Sequence, residues 1–164
     1  MDPKTEARIA IRAGRPGQVI IAEEPWSYST GRSAAALAPA ASTTQRIQLQ
    51  ADADFLIEKS TYYADNAGAA QTVSTRIIPN VLVQVFYTGQ KALWNVDQPV
   101  GCVFGSAELP FIWPRPYLIP ANSLMEVASR SFEAALSLFL TYSFHGRKIY
   151  WGAPEQRSLN VRVR

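Results

Sequence analysis

Residues that carry chemistry are scarce in this chain. One cysteine, Cys102, and one histidine, His145, occur in 164 residues. A disulfide within the sequence is therefore excluded, and so is a structural zinc site built from four Cys or His ligands. Charge is also thin: 18% of residues are charged, where about a quarter is usual. Sixteen Lys and Arg against 13 Asp and Glu leave a net charge of +3 without a block of either sign, which does not indicate dedicated nucleic-acid binding. No apolar run approaches the ~18 residues of a membrane span. The opening MDPKTEARIAIRAG carries charges where a secretory signal would be apolar. Together with the lone thiol, this predicts a chain assembled in a cytoplasm and away from membranes.

The motifs of catalysis and ligand binding are missing as well. A Ser–His–Asp or Cys–His arrangement needs an imidazole base, and His145 has no G-x-S-x-G nucleophile motif to serve. His145-Gly146 reads instead as a turn between two strands. Asp52 and Asp54 have the spacing of two calcium ligands but lack the glycine and the distal glutamate of a calcium loop, so they are expected to cap a bend. Gly14, Gly17 and Gly31 do not form a phosphate loop. The sequence therefore predicts no enzyme, no cofactor and no metal. Tyr142, Phe144, Arg147, Lys148, Tyr150 and Trp151 interleave rings and charges as a nucleic-acid platform would. Packing of the aromatic members into a strand is the stronger expectation, and it also holds for Trp26, Trp94, Trp113 and Trp151 as sugar stackers.

What the chain does have is β pattern, organised around Leu109 to Trp151. Pro110, Pro114, Pro116 and Pro120 fix φ and push their predecessors to extended geometry. Leu109 to Ile119 is thus a rigid strap, apolar enough to lie along a core edge where missing N–H groups are tolerated. After the turn Ala121-Asn122-Ser123 come Leu124 to Ser129 and the alternating Ala135 to Phe144. Earlier strands are expected at Gln18 to Ala22, Gln45 to Ala51, Phe55 to Ser60, Val73 to Ile78 and Val81 to Thr88. Shorter ones follow at Ala92 to Asn95, Gly101 to Phe104, Lys148 to Trp151 and Leu159 to Arg164. Both faces of Val81 to Thr88 are apolar, which predicts a central strand buried on each side. Val83, Val85, Phe86, Leu136, Leu138 and Leu140 are the expected core, with Cys102 buried between Val100 and Val103. Many short strands without a long helix give an all-β fold, an antiparallel β-sandwich or jelly-roll-like body.

The strap PRPYLIPANS, Pro114 to Ser123, with the apolar strand after it and FHGRKIY, Phe144 to Tyr150, resembles small structural proteins of tailed-bacteriophage virions. The resemblance covers roughly the C-terminal third. It implies a non-enzymatic subunit, most like a capsid cement or decoration protein that bridges coat subunits. The nearest other posts are the head–tail connector, tail or baseplate. The major capsid protein or other virion subunits would be its partners, in a virion assembled in the host cytoplasm. The low charge and the apolar strap separately suggest a dimer or trimer. A receptor- or glycan-binding β-sandwich is the reading from another class.

The first 44 residues are expected to differ from the body at 45–164. Asp2-Pro3 and Gly14 frame a short helix, yet Arg8 to Arg12 alternates like a strand. Glu23, Glu24 and Pro25 are expected to end Gln18 to Ala22. Trp26 to Thr44 is rich in Ala, Ser, Thr and Gly, with little bulk to fill a core. An extended N-terminal arm reaching neighbours follows. Its candidate partner contacts are Arg8, Ile9, Ile11, Arg12, Val19, Ile20, Ile21 and Trp26, joined by Trp113 and Tyr117 of the strap.

Overall fold

The computed structural model describes residues 2–12, 14–67, 78–87 and 91–154. In chain order the elements are α1 (Pro3–Arg12), β1 (Val19–Ser29), β2 (Ser42–Gln48), β3 (Asp54–Asn66), β4 (Val81–Tyr87), β5 (Lys91–Ala92), β6 (Gln98–Pro99), α2 (Val100–Val103), β7 (Phe111–Ile119), β8 (Leu124–Ser131) and β9 (Leu138–Gly152). One sheet has the order β1-β9-β3-β7 and the other β2-β8-β4-β5, with β6 also on β4. The ladders within both sheets are antiparallel.

This pairing is nested. The first strand lies on the last, the second on the eighth, the third on the seventh, and β4 on the short strands near the middle. The chain is thus one long antiparallel hairpin folded over itself, the jelly-roll-like sandwich expected from the strand count. Phe55, Ile57, Leu138, Leu140, Tyr142 and Phe144 of one sheet meet Ile47, Val81, Val83, Val85, Met125 and Val127 of the other in one buried cluster. Tyr142 brings a hydroxyl into that core, and Ser129 on the facing sheet pairs with it at 2.8 Å. Burial pushes the Tyr142 phenol well above its ordinary range, so it stays neutral.

The strap is β7, an edge strand of the first sheet, as its prolines require. Ile112 is opposite Lys59 and Tyr117 opposite Ile57, so Trp113-Pro114-Arg115-Pro116 arches past the single residue Glu58. Two prolines that could donate to no ladder sit where the ladder is interrupted. Asn122 takes φ 59° in the turn before β8, a conformation asparagine tolerates.

Several expectations are corrected. The N-terminal 44 residues do not hang off the body. Glu23, Glu24 and Pro25 fall inside β1, which pairs with β9 from Val19↔Gly152 to Ser29↔Ser143. They fit there because β1 is an edge strand: Glu23 accepts from Arg147, Glu24 accepts from the Tyr150 hydroxyl, and Pro25 needs no ladder donor. The low-bulk stretch continues along β9, with the N–H groups of Thr30, Ser33 and Leu37 donating to the carbonyls of Tyr142, Leu140 and Leu138. Leu37 is buried, and the boundary expected at 44 lies within β2. His145-Gly146 is not a turn, since β9 runs unbroken through it.

Val81 to Tyr87 buries alternate residues, leaving Phe86 half-buried, because a sandwich covers one face of each sheet. Leu136 precedes β9 and is 37% exposed. Beside it, Val83, Val85, Leu138 and Leu140 are buried as expected. The strand expected from Ala92 shrinks to the two-residue β5, and Gly101 to Phe104 is largely the helical turn α2. On that turn Val100 points inward while Cys102, two residues on, faces solvent. A thiol reagent should therefore label Cys102 in the native protein as fast as in urea, and protection until unfolding would contradict this placement. The strand expected at 73–78, apart from Ile78, the turn at 89–90 and the strand at 159–164 lie outside the described residues.

Candidate functional site

β1, β9 and β3 turn their outer face away from the core; one end of it packs Ile20, Leu56 and Ile149 together, and among the described residues His145 stands on the open part. In β9, Leu138, Leu140, Tyr142 and Phe144 point into the core, so the period of two sends Thr141, Ser143 and His145 outward. Ser27 is opposite His145 on β1, and Lys59 is opposite it on β3. The imidazole spans the three strands, with Nδ1 2.8 Å from Ser27 Oγ and Nε2 2.9 Å from Thr61 Oγ1. A neutral ring satisfies both contacts by donating to one hydroxyl and accepting from the other.

Burial, and then the positive charge of Lys59, hold the His145 pKa below its usual value. Beside the ring is an open concavity of 540 Å³ lined by Pro25, Trp26, Ser27, Glu58, Lys59, His145 and Gly146. A second, of 410 Å³, continues over Thr61, Tyr63, Thr141 and Ser143 to Ser106 and Glu108.

Hydrolase chemistry is poorly served by this geometry. A general base needs its imidazolium stabilised, and the charge facing His145 across the ladder is the Lys59 ammonium. The neighbouring carboxylate, Glu58, is turned to Arg147 at 3.1 Å. What the arrangement does supply is a hydroxyl-rich surface fixed by a neutral histidine. Because the folded-state pKa lies below the unfolded one, stability is full above the unfolded value of about 6.5 and falls as pH drops through the folded value. Urea midpoints should therefore decline between pH 7 and 5 more steeply in the wild type than in His145→Asn. Parallel pH profiles would count against a neutral, partly buried ring.

The strap edge is the second surface. Trp113 donates its indole N–H to Ser60 Oγ at 3.0 Å and lies 6.1 Å from Trp94 and 6.2 Å from Phe111 between ring centroids. Tyr117 bonds hydroxyl to hydroxyl with Tyr87 on the other sheet at 2.9 Å. These rings are the strap's footing. Its solvent side presents Ile112, 66% exposed, with Leu109 just ahead of it at 80%.

The expected contact residues are scattered by the fold. Arg8 and Ile11 are exposed on α1, Ile9 is half-buried, and Arg12 ends the helix. Val19 and Ile21 are half-buried in β1, whereas Ile20, 6% exposed, packs with Leu56 and Ile149 and is no free contact. Trp26 is half-buried, with the Lys148 ammonium 4.1 Å from its ring centroid. The Tyr142 to Trp151 platform dissolves in the same way: Tyr142 and Phe144 are core, Arg147 pairs with Glu23 and Glu58, and Lys148 pairs with Asp52.

Asp54 is a buried anchor that sequence spacing did not reveal. Its carboxylate accepts from Arg15, the Trp151 indole and the Ala121 N–H. Three donors from distant parts of the chain leave no local pattern. Among the described residues there is no cluster of three or more potential metal ligands. Comparison of the chain with protein-family models, with curated proteins and with solved structures yields no match.

Proposed function

We propose that this chain is a non-enzymatic structural subunit of a tailed-bacteriophage virion, a capsid cement or decoration protein that bridges neighbouring coat subunits. The observation that carries the reading is the strap. An edge strand pinned by Pro114 and Pro116, footed on Trp113 and Tyr117, presents Ile112 to solvent, with exposed Leu109 in the bend just before it, and an apolar side chain held rigidly at an edge loses little entropy on docking. From Pro114 on it overlaps the segment Pro114 to Ser123 that resembles virion proteins, and nested β-sandwiches serve both viral coats and lectins. Fold alone does not choose between those two uses.

The test is to find the chain in purified particles by mass spectrometry and to locate its density. Stoichiometric occupancy is expected, and Ile112→Asp should abolish incorporation while leaving the thermal transition unchanged. Absence from particles, or full occupancy by the variant, would overturn the reading.

The outer face around His145 favours a second reading, a glycan- or receptor-binding sandwich. Ser27, Thr61, Tyr63, Thr141 and Ser143 line its two concavities, an array of hydroxyl donors and acceptors of the kind a polyhydroxylated ligand pairs with. Glycan binding lost in Thr141→Ala, with particles lacking the chain, would select this reading.

A further inference from the structure

The N-terminal helix is joined to β1 by one short turn. α1 is 10 residues long, shorter than the ~12–15 that make an isolated helix even marginal. It therefore owes its helicity to docking, helped by Asp2, whose side chain accepts from the Thr5 N–H at 3.3 Å. Among the described residues, three anchors stand out. The Glu6 carboxylate, itself buried, accepts the Ile20 N–H at 2.6 Å. Ala10 is buried. Arg15 grips Asp54 through two nitrogens at 3.1 and 3.2 Å. Ile20 lies on an edge strand, so its N–H cap comes from a side chain outside the sheet. All three anchors require the segment's presence, and none requires that it belong to the same chain.

The connection itself is one reverse turn. Gln18 N–H donates to the Arg15 carbonyl at 3.2 Å, Pro16 is at the second position and Gly17 at the third, with φ +83°. This is the arrangement of a type II turn, which needs glycine at its third position. Pro16 holds φ near −65° in the closed turn and in extended chain alike, so opening the turn leaves its preferred geometry intact.

We propose that this turn opens in a second state, in which α1 and Arg15 of each of two copies dock on the other's β1 and Asp54. A closed, twofold dimer results, with every anchor kept and only the turn exchanged. The proposal stands independently of the virion reading.

Full-length chains decide it by light scattering over a concentration series and by hydrogen exchange at the Ile20 amide. Gly17→Val strains the closed turn in each copy and leaves the open form unstrained. The dimer association constant should rise by at least about tenfold, equivalent to about 1.4 kcal/mol, with the Ile20 amide still protected. A chain lacking Pro16 and Gly17 should be dimeric at every concentration tested; if it does not fold, the Gly17→Val result decides alone. A Gly17→Val chain that remains monomeric, or a dimer whose Ile20 amide exchanges freely, overturns the proposal.

Discussion

Deleting residues 1–44 should leave a chain that no longer unfolds cooperatively and accumulates as aggregate. The segment carries β1, which forms a ladder with β9 from Val19↔Gly152 to Ser29↔Ser143. It also supplies Ile20, Tyr28 and Leu37 to the two cores. At roughly 1.5–3 kcal/mol for each large side chain buried, these three alone approach the whole stability of a typical domain, about 5–15 kcal/mol. The deletion would also bare one edge of β9, a 15-residue strand with alternating apolar side chains, as a template for intermolecular pairing. Far-UV circular dichroism and urea titration of the truncated chain check the expectation. A cooperative transition within a few degrees of the full chain's would show that β1 is an accessory. The milder Tyr28→Ala, which removes a buried ring 4.9 Å from Phe55, should cost about 3–5 kcal/mol.

The second large effect belongs to Gly146→Ala. β3 inserts one extra residue, Glu58, between its partners for Gly146 and His145, and this bulge brings the two backbones unusually close. A Cβ on Gly146 would lie 1.8 Å from the Leu56 carbonyl oxygen and 2.9 Å from its carbon. Backbone cannot step aside as a flexible side chain would, so the ladder must part on both sides of the bulge. Leu56 and Ile57 lie beside it in the core, and His145 would lose its register with Lys59. A loss above about 4 kcal/mol is expected, placing this among the exceptional single substitutions. Denaturant titration giving less than ~1 kcal/mol would mean that the bulge relaxes freely.

The alternation read at 81–88 and 135–144 was enough to specify strands there, observed as Val81–Tyr87 and from Leu138 on, because burial on one face has a period of two and is written locally. The strap was equally legible: proline fixes its own φ and removes its own donor, so an edge position follows without knowledge of the partner. Pro16-Gly17 and Ala121-Asn122-Ser123 read as turns for the same local reason. Local signals failed where a residue's role is set by something far along the chain. Glu23, Glu24 and Pro25 look like a strand terminator until Arg147 and Tyr150 donate to the two carboxylates. The small residues after Trp26 look like a linker until β9 accepts their N–H groups. Gly146 looks like a turn until Leu56 leaves no room for a Cβ, and Asp54 looks like a bend cap until Arg15, Ala121 and Trp151 converge on it. In a nested fold the first strand's partner is the last, so what 1–44 does is decided more than a hundred residues away, by hydrogen bonds and close approaches that exist only once both ends of the chain have met.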